Sequence, residues 1–222
     1  MNSNAGRAIA VVLLTTLFGV RVGETLVFQM ELPTASGPAP TVHLLVRINA
    51  TLDDADVDQA RATTDVLLAS VGIRTEWHDC RDVRACDLDA LESRPLIVQL
   101  FSSRKLRGGD ICGEVIRDPI MAPTIAIYVA QIVELRSVFR LRGVDRGDLL
   151  MSTLTNGHLV GMTIAHEVGH VLGIRHSSVG VMQARLSSND VVALRRARLT
   201  FTPQQGVAMR HALGTKKRGQ AD

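Results

Sequence analysis

The spacing of apolar and polar positions changes repeatedly along the 222-residue chain, and each change marks an element. Residues 41–48 (TVHLLVRI) are β-branched and leucine-rich and predict a first strand. Over 53–70, Val57, Ala60, Thr64, Leu67, Leu68 and the following Val71 recur every three or four residues, which predicts a helix. Asp53 and Asp54 suit its N-cap and first turn, and Gly72 ends it. The acidic run 54–58 looks superficially like a calcium loop, but it lacks the glycine and the closing glutamate that such a loop needs. Residues 73–77 predict a second strand. Residues 95–101 (PLIVQLF) are apolar on both faces and predict a central one. Strands are also expected at 114–117 and 124–130, joined through the turn-prone Asp118-Pro119, with a short helix at 132–141.

A long apolar helix follows. Asn156 is its expected N-cap, Leu159, Met162, Ile164 and Ala165 its buried faces, and Leu172 lies near its end. Thr202-Pro203 then opens a final helix with Val207, Ala208 and Leu213 as its apolar face. Strands alternating with helices in this way predict an α/β fold. Its mixed sheet has four or five strands, packed on the 53–71 helix and on the helix that ends near Leu172.

The ends of the chain have a different character. Arg7 precedes an apolar run at 8–20 that is too short to span a bilayer comfortably. Residues 1–25 are expected to be a signal peptide, although no clean small-x-small cleavage site follows; a buried N-terminal helix or strand is the alternative. Export to the periplasm or outside the cell is therefore expected, with no stable membrane partner unless the signal stays uncleaved. Residues 26–40, which include ELPTASGPAP, predict a linker into a folded domain at 41–215. Residues 216–222, starting Lys216-Lys217-Arg218, predict a solvated basic tail.

Composition narrows the function. Hydrophobic residues are 46% and charged residues 21%, which excludes wholesale disorder. A single Tyr and a single Trp exclude a stacking platform for single-stranded nucleic acid. The net charge of +3 is also too small for a nucleic-acid footprint, so no nucleic-acid partner is expected. Three cysteines are too few for a disulfide scaffold. In an exported protein a Cys80–Cys86 bridge closing a short loop is favoured; Cys112 would then be a thiol, or would replace one partner. His43, His78, His158 and His211 are expected in ordinary structural positions, although His158 could share a helix face with His166.

The chemistry concentrates at 166–182. His166 and His170 are four residues apart, so a helix stacks them on one face, where both can reach one Zn²⁺. Glu167 follows the first histidine and can reach a water at the metal without binding the metal itself. Gly173 can take the left-handed conformation that stops a helix and reverses the chain. That reversal lets His176 return as a third ligand; on a continuing helix it would lie off the metal face. Three neutral imidazoles leave a fourth position open, which is the mark of a catalytic rather than a structural zinc site.

The stretch His166-Glu167-Val168-Gly169-His170-Val171-Leu172-Gly173-Ile174-Arg175-His176 resembles the pattern H-E-x-x-H-x-x-G-x-x-H of the metzincin zinc metalloproteases. Met182, six residues beyond His176, resembles the methionine of the metzincin Met-turn, and Ser177 directly after the third histidine resembles the matrixin branch. No Tyr follows Met182, so the astacin and serralysin branches match less well. The connection from His176 to Met182 is short for a matrixin. The resemblance implies a zincin-like domain with a twisted mixed sheet, a backing helix and an active-site helix. It implies a monomeric zinc endopeptidase acting on peptide or protein, with one catalytic Zn²⁺ on His166, His170 and His176, Glu167 as general base, and Met182 as an apolar floor. It further implies that an extended substrate pairs with an edge strand, either 124–128 or 114–117. Matrixins also use a propeptide cysteine to cap the zinc, but Cys112 lies inside the domain and is a poor match for that role. The competing reading is a non-catalytic binding module, zinc-bearing or zinc-free, on the same fold; a weaker third is hydrolysis of a non-peptide amide.

Overall fold

The computed structural model describes residues 38–80, 95–103, 112–118 and 122–216. The expected signal segment, most of the linker, the basic loop at 104–109, Cys86, Pro119 and the tail beyond Lys216 lie outside the described residues. The body that begins at Pro38 is built on five strands: β1 (Thr41–Asn49), β2 (Arg74–Asp79), β3 (Leu96–Phe101), β4 (Gly113–Ile116) and β5 (Thr124–Tyr128). The order across the sheet is β2-β1-β3-β5-β4. The first three pairings are parallel and β4 runs antiparallel to β5, so the sheet is mixed and β3 is central, as its two-faced apolar run requires. Of the two candidate edges, β5 is interior and β4 is terminal.

Among the described residues six helices accompany the sheet: α1 (Asp54–Ala69), α2 (Val129–Asp145), α3 (Leu149–Ser152), α4 (Asn156–Val171), α5 (Ser188–Arg195) and α6 (Pro203–Lys216). Val42, Leu44 and Val46 of β1, Val98 of β3 and Ile125 and Ile127 of β5 share one core with α1 and α4. This is an α/β architecture, a mixed sheet with a backing helix and a second helix bearing the histidines.

The two central helices meet backbone to backbone. A Cβ on Gly157 would come within 2.3 Å of the Asp56 carbonyl oxygen, and one on Gly161 within 2.3 Å of that of Ala60. Two glycines one turn apart thus let α4 lie directly on α1. The Thr64 hydroxyl donates across the junction to the Gly161 carbonyl (3.0 Å). The buried Asp56 carboxylate accepts from Gly157 N–H (2.8 Å) and from the Asn156 amide (2.9 Å), placing negative charge at the positive end of α4.

Several expectations need correcting. The N-cap of α4 is Thr155, whose hydroxyl accepts from His158 N–H; Asn156 is the first helical residue and bonds Asp56 instead. α2 starts three residues earlier and ends four later than 132–141, taking over the last two residues of the expected 124–130 strand. α3 and α5 were not expected; each is a short helix with a side-chain cap, Asp148 for α3 and Ser187 with Asp190 for α5. The α6 cap forms as expected, Thr202 N–H donating to the Gln205 side chain and Gln205 N–H to the Thr202 hydroxyl. Leu213 packs against the core as expected, but the buried positions are Gly206 and Met209, while Val207 and Ala208 face outward, because Gly206 packs against Val71. Cys80 is disulfide-bonded and Cys112 is a thiol.

Candidate metal centre

The helix α4 is buried along nearly its whole length, a consequence of being apolar all round. Its last two turns carry His166, Glu167 and His170. The C-cap is Leu172, and Gly173 takes φ +87°, where a Cβ would be strained although nothing lies within 4 Å of it. Gly173 N–H donates to the His170 carbonyl (3.1 Å) and Ile174 N–H to that of Gly169 (2.9 Å), so the chain turns back on the helix end.

That turn brings His176 onto the other two histidines. Its Nε2 lies 3.3 Å from Nε2 of His166 and 3.1 Å from Nε2 of His170. Ligands bound to Zn²⁺ at ~2.0–2.1 Å in tetrahedral geometry stand about 3.3–3.4 Å apart, close to the spacing of His176 from each of the other two, and all three donor atoms lie within 4.8 Å of one another. Their opposite faces are fixed by backbone. His166 Nδ1–H donates to the Val181 carbonyl and His170 Nδ1–H to the Ile174 carbonyl, both at 2.8 Å. A carbonyl can only accept, so Nδ1 carries the proton and the Nε2 lone pairs are left to converge. Burial pushes the His166 pKa down to about 4, outweighing the Val181 bond, with His170 and His176 adding to the effect. Burial likewise holds His170 below its ordinary value, against the Ile174 bond and with help from His176 and Arg117. Neutral imidazole is the form that binds metal.

Met182 is fully buried and lies beneath the helix. Its sulfur occupies the space a side chain at position 169 would need: a Cβ there would come within 2.5 Å of it. The turn that delivers it is closed by Ser177 N–H to the Met182 carbonyl (2.9 Å) and Val181 N–H to that of Thr200 (3.1 Å). Met182 thus packs under α4 at Gly169, and it does not line the cleft above.

The cleft has a volume of about 1110 Å³. One wall is β4 with Arg117, the floor is α4 with Thr163 and Glu167, and the far side is formed by residues 183–186. Glu167 is only 5% exposed; its Cγ packs so close to Gly113 of β4 that a Cβ there would sit 3.1 Å away. Arg117 donates to the His170 carbonyl at 2.7 Å, a cation at the negative end of α4. Cys112 lines the wall but is not among the donor atoms gathered within 4.8 Å of one another at the three histidines.

The structure therefore brings together His166, His170 and His176, with Glu167 in the same cleft and Met182 below. His158 stays apart, buried, with Nδ1 on the Thr155 hydroxyl (2.7 Å) and Nε2 on Arg195. The carbonyls of Val181 and Ile174 and the Arg117 guanidinium complete the setting, and the motif does not announce them. A second group of possible metal donors, His43, Glu76 and His78, was not foreseen.

No protein-family model and no curated protein matches the chain. Among solved structures it is similar to the GM1-bound form of the ECX AB5 holotoxin, at 15% identity over 78% of this chain and 80% of that one, with a TM-score of 0.45. It is similar to metalloproteinase-II from Bacteroides fragilis at 13% identity, over 81% of this chain and 55% of that one, with a TM-score of 0.45. It is also similar to archaemetzincin from Methanopyrus kandleri at 14% identity, over 82% and 99%, with a TM-score of 0.43. These are distant likenesses, and the chemistry of the site rests on its own residues.

Proposed function

We propose that the chain is a zinc-dependent endopeptidase of the metzincin class, closest in pattern to the matrixins, and that it works after export from the cytoplasm. The observation that carries this reading is the convergence of three Nε2 atoms at 3.1 and 3.3 Å beside the buried Glu167 in an open cleft. An all-imidazole donor set suits Zn²⁺, and the nitrogen spacing fits it.

His166, His170 and His176 would hold one ion. When bound, it supplies Lewis-acid polarisation of the scissile carbonyl and makes a water nucleophilic near neutral pH. Glu167 takes a proton from the attacking water as oxygen bonds to the carbonyl carbon. It then returns that proton to the amide nitrogen as the C–N bond breaks. β4 ends the sheet beside the cleft, so an extended peptide can add to it as a further strand and lie across the three histidines. Leu159, Met162 and Leu186 offer an apolar recess for a side chain next to the cleaved bond.

Glu167→Gln in the zinc-loaded protein tests this. The expected result is cleavage of a peptide library by the parent and loss of turnover by at least a hundredfold in the variant, with zinc content unchanged. A metal-loaded parent that cleaves nothing in a broad library would favour a binding module instead.

A further inference from the structure

We propose that His43, Glu76 and His78 form a second divalent-metal site, of the Zn²⁺ class, on the face of the sheet turned away from the α1–α4 core. Strand alternation puts them there. Val42, Leu44 and Val46 of β1 point into the core, so His43 between them points the other way. On β2, Trp77 packs against the core, and both Trp77 and Thr75 donate to Asp65 of α1. Glu76 and His78 therefore share the opposite face with His43. The parallel register sets His43 beside Glu76, with His78 one step along the same face.

The three donor atoms stand at the spacing of ligands that share one ion. His43 Nδ1 is 3.3 Å from His78 Nε2 and 3.3 Å from Glu76 Oε2. A charge-assisted N–H···O bond between His43 and Glu76 would close to ~2.7–2.9 Å. Ligands about 3.3–3.4 Å apart are instead what a tetrahedral ion with ~2.0–2.2 Å bonds requires. All three donor atoms lie within 4.8 Å of one another. The His43 side chain is 13% exposed and that of Glu76 is 51% exposed, so an ion has access from solvent while one imidazole is held by the sheet.

Two imidazoles and one carboxylate select borderline metals such as Zn²⁺, and not Ca²⁺ or Mg²⁺, which take oxygen ligands. An ion held by all three would tie strand β2 to β1. This site is separate from the three-histidine centre and does not depend on its activity.

The test is a Zn²⁺ titration of the metal-stripped full chain, with bound zinc counted by elemental analysis. Two equivalents are expected for the parent. The pair His43→Ala and His78→Ala should keep one equivalent together with peptide hydrolysis. The pair His166→Ala and His170→Ala should also keep one, which is lost when His43→Ala is added. Glu76→Gln, nearly the same in shape, should weaken the second equivalent at least tenfold. In the unmodified protein the second equivalent of Zn²⁺, and not the same amount of Ca²⁺, should shift the imidazole NMR signals of His43 and His78. A parent that binds only one equivalent, or a second equivalent that survives the His43 and His78 changes, overturns the proposal. So do His43 and His78 signals that do not respond to zinc.

Discussion

Nδ1 of His166 lies 2.8 Å from the carbonyl oxygen of Val181, the residue immediately before Met182. One turn of chain thus does two things: its methionine fills the space under Gly169, and its preceding carbonyl fixes the ring orientation of the first histidine. The second histidine is fixed in the same way by Ile174, one residue past Gly173. Both anchors are backbone atoms of segments that reverse against the end of α4.

Removing any one of His166, His170 or His176 leaves two imidazoles, below the three protein ligands of a catalytic zinc site. Each His→Ala change is expected to lower zinc affinity at this centre by more than a hundredfold and to abolish hydrolysis. Competition with a chelator of known affinity checks it, with the count at His43 and His78 subtracted. A single variant that still holds zinc here with parental affinity would mean that His is not a ligand.

Met182 is fully buried, so its volume should matter more than its sulfur. Met182→Leu keeps volume and apolarity and is expected to cost less than ~1.5 kcal/mol. Met182→Ala opens a cavity beneath the helix and is expected to cost about 2–5 kcal/mol. Denaturant unfolding of the zinc-free proteins measures both. Equal losses for Leu and Ala would imply a specific role for the thioether.

Gly161 gives a sharper test of the fold. A Cβ there would meet the Ala60 carbonyl oxygen at 2.3 Å and the Thr63 Cβ at 2.7 Å, both held by a packed helix. Gly161→Ala gains helix propensity of up to ~1 kcal/mol, but the overlap must push α1 and α4 apart. The net effect is expected to be destabilising by about 1–3 kcal/mol, the usual range for overpacking. An increase in the midpoint of unfolding would show that α1 and α4 leave room for a methyl group at position 161.

Which parts could be read in advance follows from how far apart their determinants lie. Histidines at 166 and 170, a glycine at 173 and a third histidine at 176 are neighbours in sequence, so the turn geometry could be derived from local rules. The carbonyls of Val181 and Ile174 are also near, but a carbonyl is common to every residue and leaves no mark in composition. α3 and α5 have 4 and 8 residues, too few for a period to emerge, and only their caps Asp148 and Ser187 could have signalled them. The outward turn of Val207 depends on Val71, far away in sequence, occupying the space against Gly206. His43 and His78 are 35 residues apart and meet only through the parallel register of β1 with β2. Register is a tertiary property, which is why each histidine looked ordinary alone.

His158 yields the last prediction. It is 6% exposed at the start of α4, and its pKa is lowered to about 4, chiefly by burial, then by the Arg195 guanidinium, with the Asp56 carboxylate opposing. In the unfolded chain the same imidazole titrates near its ordinary 6.5. Between these values the unfolded state binds more protons than the folded one, so folding stability rises with pH. The contribution is fully present above pH ~6.5, falls as the pH drops through the window to ~4, and changes no further below it; at most it is on the order of 3 kcal/mol. His166 and His170, also lowered, add to the slope in metal-free protein, so the parent alone cannot isolate His158. The comparison is therefore metal-free parent against metal-free His158→Gln, each unfolded by denaturant from pH 4 to 7.5. Gln cannot titrate, so the variant is expected to lose less stability than the parent across that window, by up to ~3 kcal/mol. Parallel curves for the two proteins would mean that His158 takes up its proton in the folded state as readily as in the unfolded chain.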